Sequence, residues 1–358
     1  MGSINGVWSK CKAGWTRLRE VSSLTLSKKS PPPPPPPPPG DSQINARWAV
    51  RVESGRYTSP PPAIDLQDGR SNPEMSRKLI EACEEWGCFR VYNHHSLLPP
   101  SLTAEMKEVA RSLFDLPPEA KTKIGFVPPF SGYGRSTPEN PLREAFGLYD
   151  ISSPPDVEAF CAQIHASDPQ RETIVKYAKA VHEMIMEIAR RLCEGLGVKG
   201  ELFEGWPCAL RMFKYNFTPD SIGSCVLKTH TDTGFLTLLQ NDESVGGLEI
   251  MNNKSGEFVS VDPCPGTILI NIGDTAAIWS NGRFCSVKHR VMCKEATDRF
   301  SVVSGLLGRG DCVIQPPPEL LEPPHLRRLY VPVTYNRLRE LRRDNKMHAG
   351  EVLDLLRA

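Results

Sequence analysis

Two largely apolar runs enclose a polar turn in residues 225–239, which read CVLKTHTDTGFLTLL. Each run has the length and the composition of a buried strand. His230 and Asp232 lie in the turn, two residues apart. Because residues i and i+2 of an extended chain point to the same side, the imidazole and the carboxylate are expected to converge. The stretch therefore predicts β-structure with a pair of metal-ligating groups at a strand end.

A third ligating group follows at His289, in the strand-like run 287–292. Two histidines and one carboxylate on one face form the ligand set of non-haem Fe(II) oxygenases, which leaves three positions free for a cosubstrate and O2. The His-x-Asp triplet alone is a weak signal, because about 0.4 such triplets are expected by chance in a chain of this composition. A histidine at a strand edge, paired with its carboxylate, is the structural alternative.

Arg299-Phe-Ser301 begins ten residues after His289, on the next predicted strand. Arg299 and Ser301 are two residues apart, so their side chains lie on the same face of the strand. The planar guanidinium group and the hydroxyl can both donate hydrogen bonds to a carboxylate. A dicarboxylate cosubstrate needs this arrangement, because one end chelates the metal while the other end is anchored. Together the two elements predict an iron site with a carboxylate clamp beside it.

The pattern of apolar and turn-forming residues around this stretch predicts an α+β fold. We expect a double-stranded β-helix (jelly-roll) core flanked by N-terminal helices. Helical spacing is found at 74–86, 101–116 and 170–196, whereas 123–155 is rich in Pro, Gly and Ser and is expected to form long loops. Short strands are expected at 63–66, 88–93, 210–217, 235–239, 247–251, 258–261, 267–272, 284–292 and 300–307. We assign four segments: a leader at 1–59, an N-terminal helical region at 60–205, the jelly-roll core at 206–312 and a C-terminal helical segment at 313–358.

The leader differs from the body in charge and in complexity. It carries nine Lys/Arg against three Asp/Glu, while the rest of the chain has a net charge of −5. Nine consecutive prolines at 31–39 predict a polyproline II spacer, and the surrounding residues are expected to be disordered. The basic composition also resembles weakly an organelle transit peptide. We hypothesise that residues 8–59 are an insertion or an artefact of the gene model.

The composition of the body excludes several classes of function. A mildly acidic body argues against nucleic acid as a partner, because phosphate contacts need a clustered basic face. No apolar run reaches the length of a membrane span, so we expect no membrane partner. The chain has 11 Cys, an odd number, and no secretory h-region. These features predict reduced thiols in a cytoplasmic protein.

In order and spacing, the motifs resemble the plant Fe(II)/2-oxoglutarate-dependent dioxygenases, a superfamily with the architecture of isopenicillin N synthase. The triad residues and Arg299-x-Ser301 carry the resemblance. Further matching runs are Trp86-Gly-Cys-Phe89, Asn93-His94, Asn271-Ile-Gly-Asp274 and Trp279-Ser-Asn-Gly-Arg283. The resemblance covers about residues 61–345. It implies Fe(II) held by His230, Asp232 and His289, 2-oxoglutarate and O2 as cosubstrates, and stimulation by ascorbate.

Two positions depart from the family pattern. The family's Asn-Tyr-Tyr-Pro reads Lys214-Tyr-Asn-Phe217 here, so the resemblance implies only that Tyr215 helps to hold 2-oxoglutarate. A buried strand tyrosine is the alternative interpretation. His95 stands where the family has a glycine. Because a glycine allows backbone conformations that other residues rarely adopt, we expect the turn at residues 93–95 to be distorted. The adjacent His94 and His95 are poor metal candidates, because they face opposite ways on a strand.

Within the family, the resemblance is to auxin-oxidising members. It implies a small-molecule substrate, indole-3-acetic acid or its amino-acid conjugates, that is oxidised to the 2-oxindole by a monomeric enzyme. Tyr133, Phe146 and Phe235 are candidates for an aromatic pocket wall, with ordinary core packing as the alternative. Arg143 could meet the substrate carboxylate, although an exposed loop position is favoured for it. A gibberellin, flavonoid or alkaloid oxidase, and a non-catalytic binding protein of the same fold, remain open.

Overall fold

The computed structural model describes residues 50–52, 55–57, 61–67, 72–128, 131–135, 141–200, 203–321 and 327–358. The first two ranges pair as an antiparallel hairpin of β1 (Val50–Val52) and β2 (Gly55–Tyr57). The expectations for the proline run and for the basic residues before it lie outside the described residues. The described residues all belong to one structural unit.

The helices are α1 (Pro73–Glu85), α2 (Pro100–Phe114), α3 (Pro118–Ile124), α4 (Pro154–Gln163), α5 (Asp168–Gly195), α6 (Asp274–Trp279), α7 (Tyr335–Asp344) and α8 (Glu351–Leu355). Local chemistry explains where the long ones begin. The Asn72 side chain accepts the backbone N–H of Glu74 at the start of α1, and Ser167 with Gln170 forms a capping box at the start of α5. The three helices expected from spacing are confirmed, each within two residues of its predicted ends.

The strands after β2 form two facing sheets and a small pair, β16 (Val313–Ile314) with β17 (Val333–Thr334). The large sheet has the order β3-β4-β13-β10-β15-β8-β7-β6-β5 and the small sheet the order β12-β11-β14-β9. Their bounds are β3 (Ala63–Asp65), β4 (Cys88–Tyr92), β5 (Phe126–Val127), β6 (Ser131–Gly134), β7 (Arg143–Leu148), β8 (Cys208–Tyr215), β9 (Cys225–His230), β10 (Leu236–Gln240), β11 (Leu248–Met251), β12 (Phe258–Ser260), β13 (Ile268–Ile272), β14 (His289–Met292) and β15 (Arg299–Leu306). All neighbours are antiparallel except β3 with β4. The jelly-roll core flanked by helices is confirmed.

Side chains alternate between the two faces of the large sheet, as the pleat requires. Leu236 and Leu238 of β10 join a core formed with α1, α2 and α5, whereas Leu239 faces the small sheet. The same alternation separates Ile270 from Leu269 on β13. One face of the sheet is therefore covered by helices, and the other face, opposite β9 and β14, is where the polar motif residues meet.

Residues 123–155 are not all loop, and that expectation was wrong. They contain β5, β6 and β7, which continue the large sheet beyond β8. Residues of β6 pair with β7 at Tyr133↔Phe146, and β7 pairs with β8 at Ala145↔Phe213. These strands were not predicted from the sequence, because β6 contains glycines and its surroundings are rich in proline, and both residue types lower strand propensity.

The corner after β4 does not require glycine at position 95. The residue with the left-handed backbone is Asn93, at φ 53°, and His95 is exposed with no such φ. His94 is buried, and its Nδ1 lies 3.2 Å from the carbonyl of Leu98. Among the described residues, no helix is both long enough and apolar enough to cross a membrane.

Candidate active site

Three predicted ligating side chains come together between the two sheets. His230 ends β9, Asp232 lies in the turn that leads to β10, and His289 begins β14 directly opposite His230 in the register. Their ligand atoms all lie within 4.8 Å of one another. His289 Nε2 is 3.9 Å from Asp232 Oδ1, and the two imidazole rings are 4.1 Å apart between centroids. The fold therefore produces the convergence that the spacing predicts.

The donor atoms of this cluster fit a divalent metal. His230 Nδ1 lies 2.8 Å from the carbonyl of Lys228, and His289 Nδ1 lies 3.2 Å from the carbonyl of Val287. Each Nδ1 is assigned as the protonated donor, which leaves each Nε2 with a free lone pair for a metal. Asp232 Oδ2 is buried without a hydrogen-bond partner. An unpartnered buried carboxylate oxygen beside two imidazole lone pairs suits a cation.

Electrostatics also keeps two of the three groups, His230 and Asp232, in the protonation state that binds a metal. Burial and the neighbouring His289 lower the pKa of His230 to about 3, so its imidazole is neutral near pH 7. Burial by itself would raise the pKa of Asp232, but His289 and His230 outweigh it and hold that pKa below its ordinary value. Metal ligation requires deprotonated groups, and these two are deprotonated before a metal arrives.

The predicted carboxylate clamp lies in the same cavity. Arg299 at the start of β15 is opposite Tyr215 of β8 in the register, and Ser301 follows on the same face. Arg299 is 1% exposed; its guanidinium carbon lies 5.3 Å from the Tyr215 ring centroid, and the guanidinium donates to Asn241 Oδ1. Its Nε has no partner, and among the described residues no carboxylate pairs with it. Burial lowers the pKa of Arg299, and a buried cation of this kind is a binding site for an anion.

A cavity of about 360 Å³ extends from the clamp past the triad. Its charged lining contains five arginines, at positions 143, 211, 299, 339 and 342, against the single carboxylate of Asp232. Phe213 forms an aromatic wall, and its ring centroid lies 4.9 Å from the guanidinium carbon of Arg211 and 5.4 Å from that of Arg143. Burial, and then Arg143, lower the pKa of Arg211 to about 10. The cavity is therefore electropositive and suits acidic ligands.

Three aromatic residues expected at the pocket wall lie elsewhere, which corrects that expectation. Tyr133 donates to Glu144 at 2.6 Å and packs on Phe146, which is fully buried in the helix-side core. Phe235 is fully buried in an aromatic cluster, 4.6 Å from Phe203 between ring centroids. None of the three lines the cavity. Strand alternation on β7 turns Phe146 toward the helix-covered side, and Tyr133 lies opposite it on β6. Phe235 precedes β10 and packs into the helix-side core from the turn.

Arg143 lies on β7 and lines the cavity, so the exposed loop position favoured for it was wrong. Arg211 and Phe213 were missed, although a signal existed in the alternation of β8, which places both on the face of Tyr215. Tyr335 and Arg339 of α7 also line the cavity. No local signal could have found these two, because only the packing of the C-terminal helix brings them to the cavity.

The junction of β13 with α6 packs directly behind residues 231–235, the turn between β9 and β10 that carries Asp232 and is called the metal-cluster turn below. A Cβ on Gly273 would lie 2.2 Å from the carbonyl oxygen of Gly234 and 2.8 Å from that of Asp232. Asp274 donates its backbone N–H to the Asp232 carbonyl at 2.8 Å. The motif Asn271–Asp274 therefore includes a glycine because two backbone segments approach too closely for any side chain.

Two family models match the chain. The model of the 2OG-Fe(II) oxygenase superfamily matches residues 206–306, a range that includes the triad, Arg299 and Ser301. The model described as non-haem dioxygenase in morphine synthesis N-terminal matches residues 61–162.

Relatives extend the similarity over most of the chain. The 2-oxoglutarate-dependent dioxygenase DAO of Oryza sativa subsp. indica is 46% identical over 299 residues, which cover 83% of this chain and 99% of that protein. A crystal structure of the dioxygenase for auxin oxidation in rice matches with a TM-score of 0.78 and 45% identity, covering 84% of this chain and 100% of that chain. AtDAO1 of Arabidopsis thaliana, solved as a binary complex with 2-oxoglutarate, matches with a TM-score of 0.71 and 48% identity, covering 75% and 100%.

Proposed function

The chain belongs to the 2OG-Fe(II) oxygenase superfamily and is a 2-oxoglutarate-dependent dioxygenase, and we propose that it oxidises indole-3-acetic acid or its amino-acid conjugates. The relatives named for auxin oxidation support this choice of substrate. The electropositive cavity beside the metal cluster is the observation that carries the proposal, because it suits an acid.

In this proposal, His230, Asp232 and His289 hold Fe(II), and Arg299 with Ser301 and Tyr215 holds the distal carboxylate of 2-oxoglutarate. When bound, Fe(II) couples the oxidative decarboxylation of 2-oxoglutarate to the transfer of one oxygen atom from O2 to the substrate, with succinate and CO2 as coproducts. The protein's own part is to orient both organic ligands and to keep water away. Arg299 suits that role because it is fixed by a neighbouring side chain and lies out of solvent.

The substrate end of the cavity combines an aromatic wall with positive charge. Phe213 gives this end an aromatic lining, and the guanidinium carbons of Arg143 and Arg211 lie 5.4 and 4.9 Å from its ring centroid. An aromatic acid bound here would meet both the aromatic lining and the positive charge. The depressed pKa of Arg211 reflects its burial and its repulsion from Arg143, and a bound carboxylate would relieve that repulsion. A neutral indole would gain the aromatic contact but not this electrostatic term.

The test is aerobic incubation of the full chain with Fe(II), 2-oxoglutarate and indole-3-acetic acid, with the masses of products recorded. We expect one added oxygen per indole acid and one succinate per turnover. The Asp232→Ala variant is the inactive control, because it removes a ligand. A parallel panel contains amino-acid conjugates, gibberellins and phenolic acids. Unchanged indole acid and indole conjugates, with oxidation of another acid in the panel, would overturn the substrate assignment.

The monomeric state expected from the sequence remains a prediction. Light scattering of the eluted protein, with and without 2-oxoglutarate and the indole acid, measures the mass directly. A dimer mass under either condition would contradict the prediction without affecting the reaction assigned above.

A further inference from the structure

The turn that carries Asp232 is held in place by the C-terminal part of the chain. Thr231, which lies between two proposed iron ligands, is 2% exposed. Its backbone N–H donates to the carbonyl of His348 at 2.8 Å, and its own carbonyl accepts from Arg342 Nη2 at 2.8 Å. Arg342 Nη1 lies 2.8 Å from the Thr231 hydroxyl. Every polar group of Thr231 is therefore engaged by residues more than a hundred positions later in the sequence.

Arg342 also ties this turn to a buried carboxylate behind it. The guanidinium pairs with Asp274, which is fully buried, and donates to the His348 carbonyl at 3.0 Å. Asp274 in turn accepts from the Ser286 hydroxyl at 2.6 Å, and its backbone N–H donates to Asp232. The guanidinium of Arg342, on α7, thus contacts three other segments: the residues before α8, the start of α6 and the metal-cluster turn.

A buried ion pair is weak grounds for stability, because desolvation offsets most of its attraction. What this pair does provide is geometry, since a rigid fork with five donors can fix several acceptors at once. The acceptors here include the carbonyl and the hydroxyl of the residue between His230 and Asp232. A small shift of Thr231 would move both neighbours, and a metal requires its ligands to be held closely.

We propose that Arg342 is a positioning residue for the iron site, so that the affinity for Fe(II) depends on the C-terminal helix α7. Arg342 makes its hydrogen bonds to Thr231, Asp274 and His348, and through them it holds the turn that carries Asp232. The inference rests on the proposed ligand roles of His230, Asp232 and His289, but it is independent of which acid is oxidised.

The experiment measures metal affinity on the full chain, stripped of metal. Anaerobic titration with Fe(II), and with Mn(II) as a redox-stable probe, gives the dissociation constant, and thermal unfolding without metal gives stability. The variants are Arg342→Met, Arg342→Lys and the double variant Asp274→Asn/Arg342→Met. Arg337→Met is the matched control, because Arg337 lies on the same helix and its exposed side chain pairs with Glu340. Asp232→Ala is the reference for loss of a ligand.

We expect Arg342→Met to raise the metal dissociation constant about 10- to 100-fold, the range found for residues that orient ligands. Its unfolding temperature also falls, because Asp274 is left as an uncompensated buried charge. The double variant removes both charges and is expected to regain stability but not metal affinity. Arg342→Lys keeps the charge opposite Asp274 but cannot span all the acceptors, so its affinity lies between those of the native chain and Arg342→Met. Arg337→Met binds metal as the native chain does.

Two results would overturn the inference. Metal affinity unchanged in both Arg342→Met and the double variant would show that the turn holds its shape unaided. Recovery of affinity together with stability in the double variant would show that the pair acts on the fold alone. If instead the native chain and Asp232→Ala bind metal equally poorly, the ligand assignment itself fails, which separates failure of the proposed function from failure of this inference.

Discussion

Arg299 is a cation in a place that water hardly reaches, with an aromatic ring and an amide as neighbours. A charge-assisted hydrogen bond from such a group is worth about 1.5–3 kcal/mol. We therefore expect Arg299→Met to raise the KM for 2-oxoglutarate about 10- to 100-fold, with a smaller change in the KM for the indole acid. Succinate formation at varied 2-oxoglutarate measures both constants. Arg309→Met, at an exposed ion pair, is the control; an equal rise in both KM values would contradict a clamp specific for the cosubstrate.

The Arg211→Met variant tests the proposed substrate end of the cavity. Arg211 lies on the same strand face as Tyr215 but four residues away, about 13 Å at the usual rise per residue. Arg211→Met should raise the KM for indole-3-acetic acid about 10-fold or more and leave the KM for 2-oxoglutarate within about two-fold, because one charge-assisted contact is removed. Initial rates of 2-oxindole formation give the first constant and succinate the second. A rise in the 2-oxoglutarate KM alone would place Arg211 at the cosubstrate instead.

The sequence predicted which polar side chains come together in the cavity better than it predicted their surroundings. His230, Asp232, His289 and Arg299 were predictable because their chemistry depends on short spacing along single strands, which an extended backbone translates directly into position. Tyr335 of α7 had no such signal, since its place at the cavity depends on how a distant helix packs. The aromatic wall was mispredicted for the same reason: residue type alone does not tell which face of a buried strand is lined by solvent or ligand.

At the scale of elements, the junction of β13 with α6 supports the metal-cluster turn from behind. A methyl group on Gly273 would overlap the carbonyl oxygens of Gly234 and Asp232, at 2.2 and 2.8 Å. Gly273→Ala should therefore push the turn away, weaken metal binding at least 10-fold and lower the unfolding temperature. Gly256→Ala is an informative control, because its Cβ would meet open space although its φ is 72°. Metal affinity equal to that of the control would show that the turn yields without moving its ligands.

A second junction holds the far end of the large sheet together. Glu144 on β7 accepts hydrogen bonds from Lys121 of α3 and Tyr133 of β6, both at 2.6 Å, and from Asn216 after β8 at 3.2 Å. Glu144→Gln weakens three contacts and leaves the buried Lys121 without its carboxylate, at a cost of about 1–3 kcal/mol. We expect the unfolding temperature to fall by about 2–8 °C. Glu158→Gln, at an exposed ion pair, should change it little.

The same junction has a predictable pH dependence. Burial by itself would raise the pKa of Glu144, but the hydrogen bonds from Lys121, Tyr133 and Asn216 outweigh it and lower that pKa. The stabilisation is therefore fully present above the ordinary value of about 4.5 and is lost as the pH falls through the lower folded value. Unfolding temperatures of the native chain and of Glu144→Gln should accordingly converge below pH 4.5. A constant difference down to pH 3 would contradict the assignment.

The long helices and most strands were predicted correctly, whereas the strands at the far edge of the large sheet were not. The amphipathic helix α5 and the apolar strand β13 repeat their pattern over enough residues to be distinguished from loops. The glycine-containing strand β6 pairs because β7 lies beside it, so its strand character is tertiary rather than local. The proposed metal ligands, in contrast, lie at or next to strand ends that polar residues mark, which made them easier to predict than the edge of the sheet.

The whole molecule separates its overall charge from the charge of its cavity. The body after residue 59 has a net charge of −5, yet the cavity has five arginines against one carboxylate. Net charge acts over long distances and is screened by salt, while a buried cavity keeps its local field. A chain with a net negative body can thus contain a cavity that suits acids, and composition alone did not predict the ligands that the cavity favours.

The basic leader is separate in sequence from all of this machinery. The charged residues that line the cavity lie between positions 143 and 342 of the sequence. The match to the N-terminal family model of non-haem dioxygenases begins at residue 61. We therefore expect a chain without residues 1–59 to keep its unfolding temperature within about 2 °C and its kcat/KM for the indole acid within about two-fold, because no proposed ligand contact is removed. A chain lacking only the prolines at 31–39 serves as the control for handling and length. Loss of turnover in the shorter chain but not in this control would assign residues outside the proline run a direct part in the reaction or in the fold, and would count against the insertion hypothesis.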